Sequence, residues 1–143
     1  MILGIGIDSI DIIRFAHWHT YSRTTLLRVF SSHDLDYCLQ KPALYAQRFA
    51  SRFATREATY KAICAYASTP PPLLAIGRAV QIQTNQAGAP QLIIDWAQLP
   101  GIAPAAALLS ITHTATTATV IVLLQAHPEI VDPIFAKASS GLR

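Results

Sequence analysis

The chain has 143 residues, of which 52% are hydrophobic and only 13% are charged, so its composition excludes a disordered, highly solvated protein. Its formal net charge of +3 favours an anionic partner but does not choose among nucleotides, acidic proteins and nucleic acids. The chain has two cysteines, Cys38 and Cys64, and no CxxC pair, which argues against a thiolate zinc site and excludes a disulfide framework.

The first part of the chain combines one strand with helices. Residues 2–8 (ILGIGID) contain β-branched residues and two glycines, which predicts a strand. From Ile10 onward the apolar spacing becomes helical. A serine pair before Asp34 is typical of a helix start and predicts a short helix over 33–39, and a longer helix is predicted over about 43–67.

The second part of the chain predicts two hairpins. Three consecutive prolines place residues 68–75 in a loop. Four apolar, β-branched runs follow, and the strands are predicted over 78–84, 91–96, 108–113 and 119–124. Together the elements predict an α+β fold, in which a mainly antiparallel sheet packs with one long helix. We expect a single domain over 1–125 and a mobile C-terminal extension over 126–143.

The location of the protein is predicted from two absences in the sequence. No run of 18 apolar residues occurs, which predicts no membrane span. The apolar start lacks the basic segment of a signal peptide and soon reaches Asp8 and Asp11. We therefore expect a cytoplasmic enzyme or binding domain.

The long helix has two charges at unexpected positions. On a helical wheel, Glu57 and Lys61 fall inside the arc of apolar and small residues. The opposite side, which we expect to face water, holds Arg48, Ser51, Thr55 and Thr59. One interpretation is an i,i+4 salt bridge at the edge of the buried face. The other is a partly buried anion site, in which a metal neutralises Glu57, Lys61 reaches a phosphate and nearby alanines leave room for a ligand.

Asp8 is a second candidate metal ligand. It lies at the end of the predicted first strand, on the same face as Gly4 and Gly6, where a ligand or another backbone can approach closely. Together with Glu57 it makes a hard, oxygen-only ligand set that suits magnesium. The alternative is that Asp8 caps a following helix. The string GIGID lacks the third glycine of a dinucleotide-binding fingerprint.

His113 ends the string LSITHT (109–114), which is rich in hydroxyl residues. A serine hydrolase would need a GxSxG elbow, and the sequence has none. His113 is then either a packed strand residue or, with its hydroxyl neighbours, a donor facing a phosphate.

Three strings resemble the holo-acyl-carrier-protein synthase family of phosphopantetheinyl transferases. They are GIGIDSIDIIRF (4–15), RFATREATYKA (52–62) and LSITHT (109–114), in the order and spacing of that family. The segment RVFSSHDLDY (28–37) and the hairpin over 79–94 also resemble the family. The resemblance covers roughly residues 2–124 and implies the 4′-phosphopantetheinyl transferase fold.

The resemblance also implies a reaction and a set of roles. Phosphopantetheine would pass from coenzyme A to a serine of acyl carrier protein, with magnesium held by Asp8 and Glu57 and with 3′,5′-ADP as the leaving group. Lys61 would reach a phosphate, Arg52 would contact coenzyme A phosphates and His113 would lie near the nucleotide. Family members of this length are typically trimers with sites between subunits.

The partner surface is predicted from the basic, partly apolar first helix. Arg14 and Arg28 flank apolar residues there and would dock the acidic carrier protein. A nucleic-acid partner is not expected, because the arginines are dispersed rather than clustered. Membrane binding is not expected either.

The sequence departs from the family pattern at three places. Arg56 stands where the family usually has lysine, Ala62 is followed by Ile63 rather than glycine, and the tail beyond about 125 has no counterpart. The altered segment after Lys61 is the main support for an alternative, a non-catalytic paralogue that binds coenzyme A or a carrier protein. A broader-range transferase for peptidyl carrier domains is less favoured, because such chains usually contain two copies of the fold.

Overall fold

The computed structural model describes residues 1–127, so the predicted extension over 126–143 lies outside the described residues from position 128 onward. Five strands occur in the described part: β1 (Ile2–Asp11), β2 (Val80–Thr84), β3 (Pro90–Ile94), β4 (Ala106–His113) and β5 (Thr117–Gln125). The α-helices there are α1 (Arg23–Leu26), α2 (Ser32–Cys38), α3 (Tyr45–Cys64) and α4 (Leu73–Ala79). Single 3-10 turns cover Ile12–Phe15, Trp18–Thr20, Pro42–Leu44 and Trp96–Gln98. No helix among these residues is both long and apolar enough to cross a membrane.

The strands form two antiparallel sheets, which confirms the α+β prediction. One sheet has the order β1-β5-β4, and the other is the β2-β3 hairpin. The hairpin turn is tight because the Asn85 side-chain oxygen accepts hydrogen bonds from the backbone N–H groups of Ala87 and Ala89, both at 2.9 Å. Gly88 in this turn has φ +84°, a conformation that favours glycine.

Helix α3 packs across β1 and β5 and forms the centre of the core. It can approach β1 closely because Gly4 and Gly6 have no side chain at the contact. A Cβ added at Gly6 would lie 1.8 Å from the Ala58 carbonyl oxygen, and one at Gly4 would lie 2.0 Å from that of Ala62. The glycines therefore admit another backbone rather than a ligand. The expectation that the alanines of α3 leave room for a ligand is wrong for the same reason.

The side of α3 that we expected to face water is buried. Ser51, Thr55 and Thr59 are each at most 5% exposed. Each hydroxyl donates a hydrogen bond to the carbonyl one turn earlier, at 3.0, 2.8 and 2.7 Å respectively, so no polar group is left unpaired. A helix face of small hydroxyl residues can thus be buried against the rest of the protein. The prediction that this side of α3 faces water is wrong.

The segment after the first strand also differs from the prediction. Strand β1 continues to Asp11, since its partner β5 pairs with it as far as Asp11↔Thr117. The Ile12 amide then donates to the Thr116 carbonyl at 2.8 Å, and the chain turns. The expected basic first helix is therefore two 3-10 turns and the four-residue α1.

The loop predicted over 68–75 ends earlier than expected, because α4 begins at Leu73 directly after Pro72. The strand predicted from residue 78 begins at Val80. Gly77 lets α4 lie against the segment before α2, since a Cβ there would be 2.5 Å from the Val29 carbonyl oxygen. The position of α4 thus depends on a contact between Gly77 and Val29, which are far apart in the sequence.

Candidate active site

Asp8, Glu57 and Lys61 come together where β1 crosses α3, and we call these three residues the carboxylate cluster. Asp8 lies inside β1, paired with Val120, on the face that meets α3. The strand continues past Asp8 to Asp11, so the interpretation of Asp8 as a helix cap is wrong. The Lys61 ammonium donates to the Asp8 carboxylate and to the Ile7 carbonyl, both at 2.9 Å.

Glu57 has no salt-bridge partner within residues 1–127. The i,i+4 salt bridge between Glu57 and Lys61 is therefore wrong, since Lys61 pairs with Asp8 instead. Burial raises the pKa of Glu57, and the negative charge of Asp8 raises it further, against the opposing charges of Lys61 and Arg14. The carboxylates of Asp8 and Glu57 thus repel each other and, among the described residues, the Lys61 ammonium pairs only with Asp8.

The cluster offers two carboxylate side chains to a metal rather than a complete set of protein ligands. No group of three or more His, Cys, Asp or Glu side chains in the described part of the chain could hold a metal ion. Magnesium is commonly bound by one or two carboxylates, with water and substrate phosphate completing its octahedron. The oxygen donors and the repulsion between Asp8 and Glu57 fit such an ion.

A second group of polar residues lines a cleft of about 260 Å³ at the N-terminal half of α3. We call it the arginine cleft, and its polar residues that concern us are Tyr37, Gln47, Arg48, Arg52 and His113. His113 is exposed at the end of β4, and its Nε2 accepts a hydrogen bond from Gln47 Nε2 at 3.0 Å. It is therefore not a packed core residue.

Two arginines of the arginine cleft are buried and incompletely bonded. Arg48 and Arg52 are 8% and 6% exposed, and the Nε of each has no hydrogen-bond partner among the described residues. Both guanidinium groups lie over the Tyr37 ring, at 4.0 and 4.1 Å from its centroid. Such fixed, under-bonded cations are suited to an anionic ligand.

The sequence identified Arg52 and His113 but not Arg48, Tyr37 or Gln47. The i,i+4 spacing of Arg48 and Arg52 could have shown that the two share one side of α3. The position of Tyr37 has no such signal, because it depends on how α2 packs against α3.

The carboxylate cluster and the arginine cleft lie on different sides of α3. Arg52 and Lys61 are nine residues apart, which in an α-helix is about half a turn around the axis and about 13 Å along it. The sequence-predicted site residues therefore form two groups rather than one. Arg14 is exposed and near enough to Glu57 to lower its pKa, and Arg28 is exposed elsewhere.

The sequence model of the ACPS family, the 4′-phosphopantetheinyl transferase superfamily, matches residues 4–121. The chain belongs to this family. The match includes β1 from Gly4 onward, all of α3 and all of β4, and thus both groups of site residues. The resemblance predicted from three short strings is confirmed, and with it the assignment of the chain as a phosphopantetheinyl transferase.

Solved structures of phosphopantetheinyl transferases share the fold. A holo-(acyl-carrier-protein) synthase from Bacillus anthracis in complex with CoA (3′,5′-ADP) is 24% identical, with a TM-score of 0.69 over 89% of this chain and 99% of that one. A Chronobacterium ammoniagenes ACPS–CoA complex is 26% identical, with a TM-score of 0.69 over 87% and 97%. A Helicobacter pylori holo-[acyl-carrier-protein] synthase in complex with coenzyme A is 23% identical, with a TM-score of 0.65 over 85% and 99%. No curated protein matches the chain significantly.

Proposed function

We propose that this protein transfers the 4′-phosphopantetheine group of coenzyme A to a serine of apo acyl carrier protein, in a magnesium-dependent reaction. The observation that carries the proposal is the carboxylate cluster, where β1 and α3 hold Asp8, Glu57 and Lys61 together. The coenzyme A complexes of the Bacillus anthracis and Chronobacterium ammoniagenes proteins support the choice of donor. We place the transferase domain at 1–125.

The residues of the carboxylate cluster have distinct proposed roles. Asp8 and Glu57 would hold magnesium, which when bound neutralises charge on the pyrophosphate and on the leaving 3′,5′-ADP. The Lys61 side chain is 48% exposed, so its ammonium can exchange the Asp8 carboxylate for a phosphate oxygen. The serine oxygen bonds to the phosphorus that carries pantetheine, the bond from that phosphorus to 3′,5′-ADP breaks, and the serine proton passes to solvent.

The arginine cleft supplies the nucleotide end of the proposed site. The mostly buried guanidinium groups of Arg48 and Arg52 line the cleft together with His113. Because one subunit holds the cleft and the carboxylate cluster on different sides of α3, we propose that the cleft of one subunit faces the cluster of the next. Three such subunits close a cyclic homotrimer.

The outward face of the three-stranded sheet supports this assembly. Large apolar side chains lie exposed on all three strands, and they are Ile5, Ile7, Leu108 and Ile121. Ile5 and Leu108 flank Leu123 in the register of the sheet, and Ile7 is paired with Ile121. A contiguous exposed apolar face of this kind is typical of an interface between protein chains.

One assay tests the transfer. The protein is incubated with coenzyme A, magnesium and apo acyl carrier protein, and the carrier is weighed by mass spectrometry. We expect a gain of one phosphopantetheine group. Binding of coenzyme A without any mass gain would instead favour the non-catalytic paralogue.

Subunit complementation tests the shared site. Asp8→Asn and Arg52→Ala each damage a different half. Asp8→Asn alone is expected to be nearly inactive, and Arg52→Ala alone is expected to be strongly impaired when coenzyme A is kept well below its KM. Co-expressed and purified as mixed trimers, they should regain measurable activity, because some interfaces then combine two intact halves. If mixed trimers are no more active than either parent, the halves do not belong to different subunits.

A single charge on the outward sheet face tests the trimer itself. Ile5→Asp places a carboxylate among apolar neighbours and should give monomers in light scattering. Ile13→Asp is the matched control, since Ile13 is 77% exposed but lies outside the sheet. Wild-type protein that is monomeric at micromolar concentration contradicts the assembly.

A further inference from the structure

A buried ion pair links the elements around the arginine cleft. Asp34 and Arg56 are 0% and 2% exposed, and Arg56 Nη2 donates to Asp34 Oδ2 at 2.9 Å. The other donors of Arg56 reach four backbone carbonyls within 3.0 Å, those of Val29, Arg52, Gly77 and Val80. Burial lowers the pKa of Arg56, and the Asp34 charge opposes that shift. Arg56 thus connects α3 to α2, α4 and β2.

Lysine, which the resemblance leads us to expect at this position, could not make this set of bonds. Its three donors share one nitrogen, whereas the guanidinium spreads five donors over a planar fork. Arg56 therefore suits the packing of this chain better than lysine would.

Asp34 also acts on Arg52 of the cleft. Its Oδ1 accepts a hydrogen bond from the Ile82 amide at 3.0 Å and lies 3.4 Å from Arg52 Nε. The second contact is close enough for attraction between the charges but lacks hydrogen-bond geometry, since Arg52 Nε has no hydrogen-bond partner. Asp34 therefore attracts the Arg52 guanidinium, which lies over the Tyr37 ring, without occupying the N–H donors of Arg52.

We propose that Asp34 and Arg56 are positioning residues for nucleotide binding, which hold Arg52 in the orientation that receives an anionic group of the ligand. The inference rests on the proposed function. Removal of the Asp34 charge distinguishes positioning from simple charge attraction, because the two predict opposite changes in the affinity for an anion. Asp34 carries negative charge beside the cleft, so removing that charge should strengthen anion binding if only Coulomb attraction matters. If positioning dominates, the same change weakens binding.

Titration calorimetry with 3′,5′-ADP tests the inference. Asp34→Asn should weaken binding about tenfold, or about 1.4 kcal/mol, since part of a charge-assisted contact is lost. Its KM for coenzyme A should rise while kcat stays nearly unchanged, which general loosening of the fold would not produce. Asp36→Asn is the matched control. Asp36 lies on the same helix with 61% of its side chain exposed, so binding should stay at the wild-type value.

Arg56→Lys gives a second measurement, because Asp34→Asn leaves a buried arginine without its partner and can prevent folding. The lysine keeps the charge but loses several carbonyl contacts, and we expect binding about threefold weaker. Unchanged or tighter binding in a variant that melts cooperatively overturns this inference alone. Wild-type protein that does not bind 3′,5′-ADP overturns the proposed function and the inference with it.

Discussion

The arginine cleft and the carboxylate cluster both present charged side chains, but the protein fixes them to different degrees. In the cleft, Arg48 and Arg52 are more than nine-tenths buried and lie over Tyr37. In the cluster, Lys61 is half exposed and Glu57 has no salt-bridge partner within residues 1–127. A pre-oriented group binds without first losing side-chain freedom, whereas an exposed group can change partners during a reaction. We therefore propose that the cleft holds the ligand and the cluster performs the transfer.

The largest effect should come from removing charge at the cluster. Glu57→Gln keeps the side-chain size but should reduce transfer about a thousandfold, since one charge pair near 4 Å at an effective dielectric near 20 contributes about 4 kcal/mol. Asp8→Asn should behave alike, and the double variant should be little worse than either single variant, because both act through one ion. Near-normal activity of folded Glu57→Gln at low magnesium would contradict the proposed mechanism.

A smaller effect, of a different kind, should come from the cleft. Arg52→Ala should weaken binding of 3′,5′-ADP about thirtyfold, since a charged hydrogen bond contributes about 2 kcal/mol. The magnesium concentration that half-saturates activity should not change. If Arg52→Ala alters the magnesium requirement as strongly as Glu57→Gln does, the two regions do not have separate roles.

The surface arginines should have still smaller effects, which test where the carrier binds. Arg28→Glu should raise KM for the carrier about fivefold and make it less salt-dependent, since a rim charge contributes about 1 kcal/mol. Coenzyme A binding should be unaffected. Arg14→Glu is a less pure test, because Arg14 lowers the pKa of Glu57 and its reversal should raise that pKa. A carrier KM that is unchanged in both variants places the dock elsewhere.

The smallest effect is on the pH dependence of stability. Folding raises the pKa of Glu57 above its ordinary value of 4.5, so the folded state binds this proton more tightly than the unfolded state does. Stability from this group is present below pH 4.5 and is lost as pH rises through the raised pKa. Without magnesium, Glu57→Gln should therefore lose less stability than wild type between pH 4 and pH 7 in thermal melts. A steeper loss in the variant would show that the Glu57 charge stabilises the fold.

The sequence predicted the elements whose signals are local. The serine before α2 does cap it, since Ser31 Oγ accepts from the Asp34 amide at 3.2 Å. The two hairpins and the long helix were also predicted, because strand alternation, turn residues and helical spacing are properties of neighbouring residues. In contrast, α4 and the extension of β1 depend on Val29 and on β5, which are distant in sequence.

The candidate site shows the same limit. Asp8, Glu57 and Lys61 could be chosen because a charge among apolar residues is visible in the sequence. The partner of Lys61 could not, because it lies 53 residues away on β1. The opposite side of α3, with its small hydroxyl residues, was wrongly assigned to solvent, since a wheel cannot show that each hydroxyl would bond to its own helix.

The contact between Gly4, Gly6 and the backbone of α3 has a consequence for ion selection. Asp8 projects from β1 and Glu57 from α3, so the separation of the two elements sets the span between their oxygens. Side-chain torsions of Asp8 and Glu57 adjust the oxygen positions only within the limits that this separation gives. Magnesium requires shorter oxygen distances than calcium does, roughly 2.1 Å against 2.4 Å. We expect a side chain at position 4 or 6 to force β1 away from α3 and so to disfavour the shorter distances of the proposed magnesium ion, without altering either carboxylate.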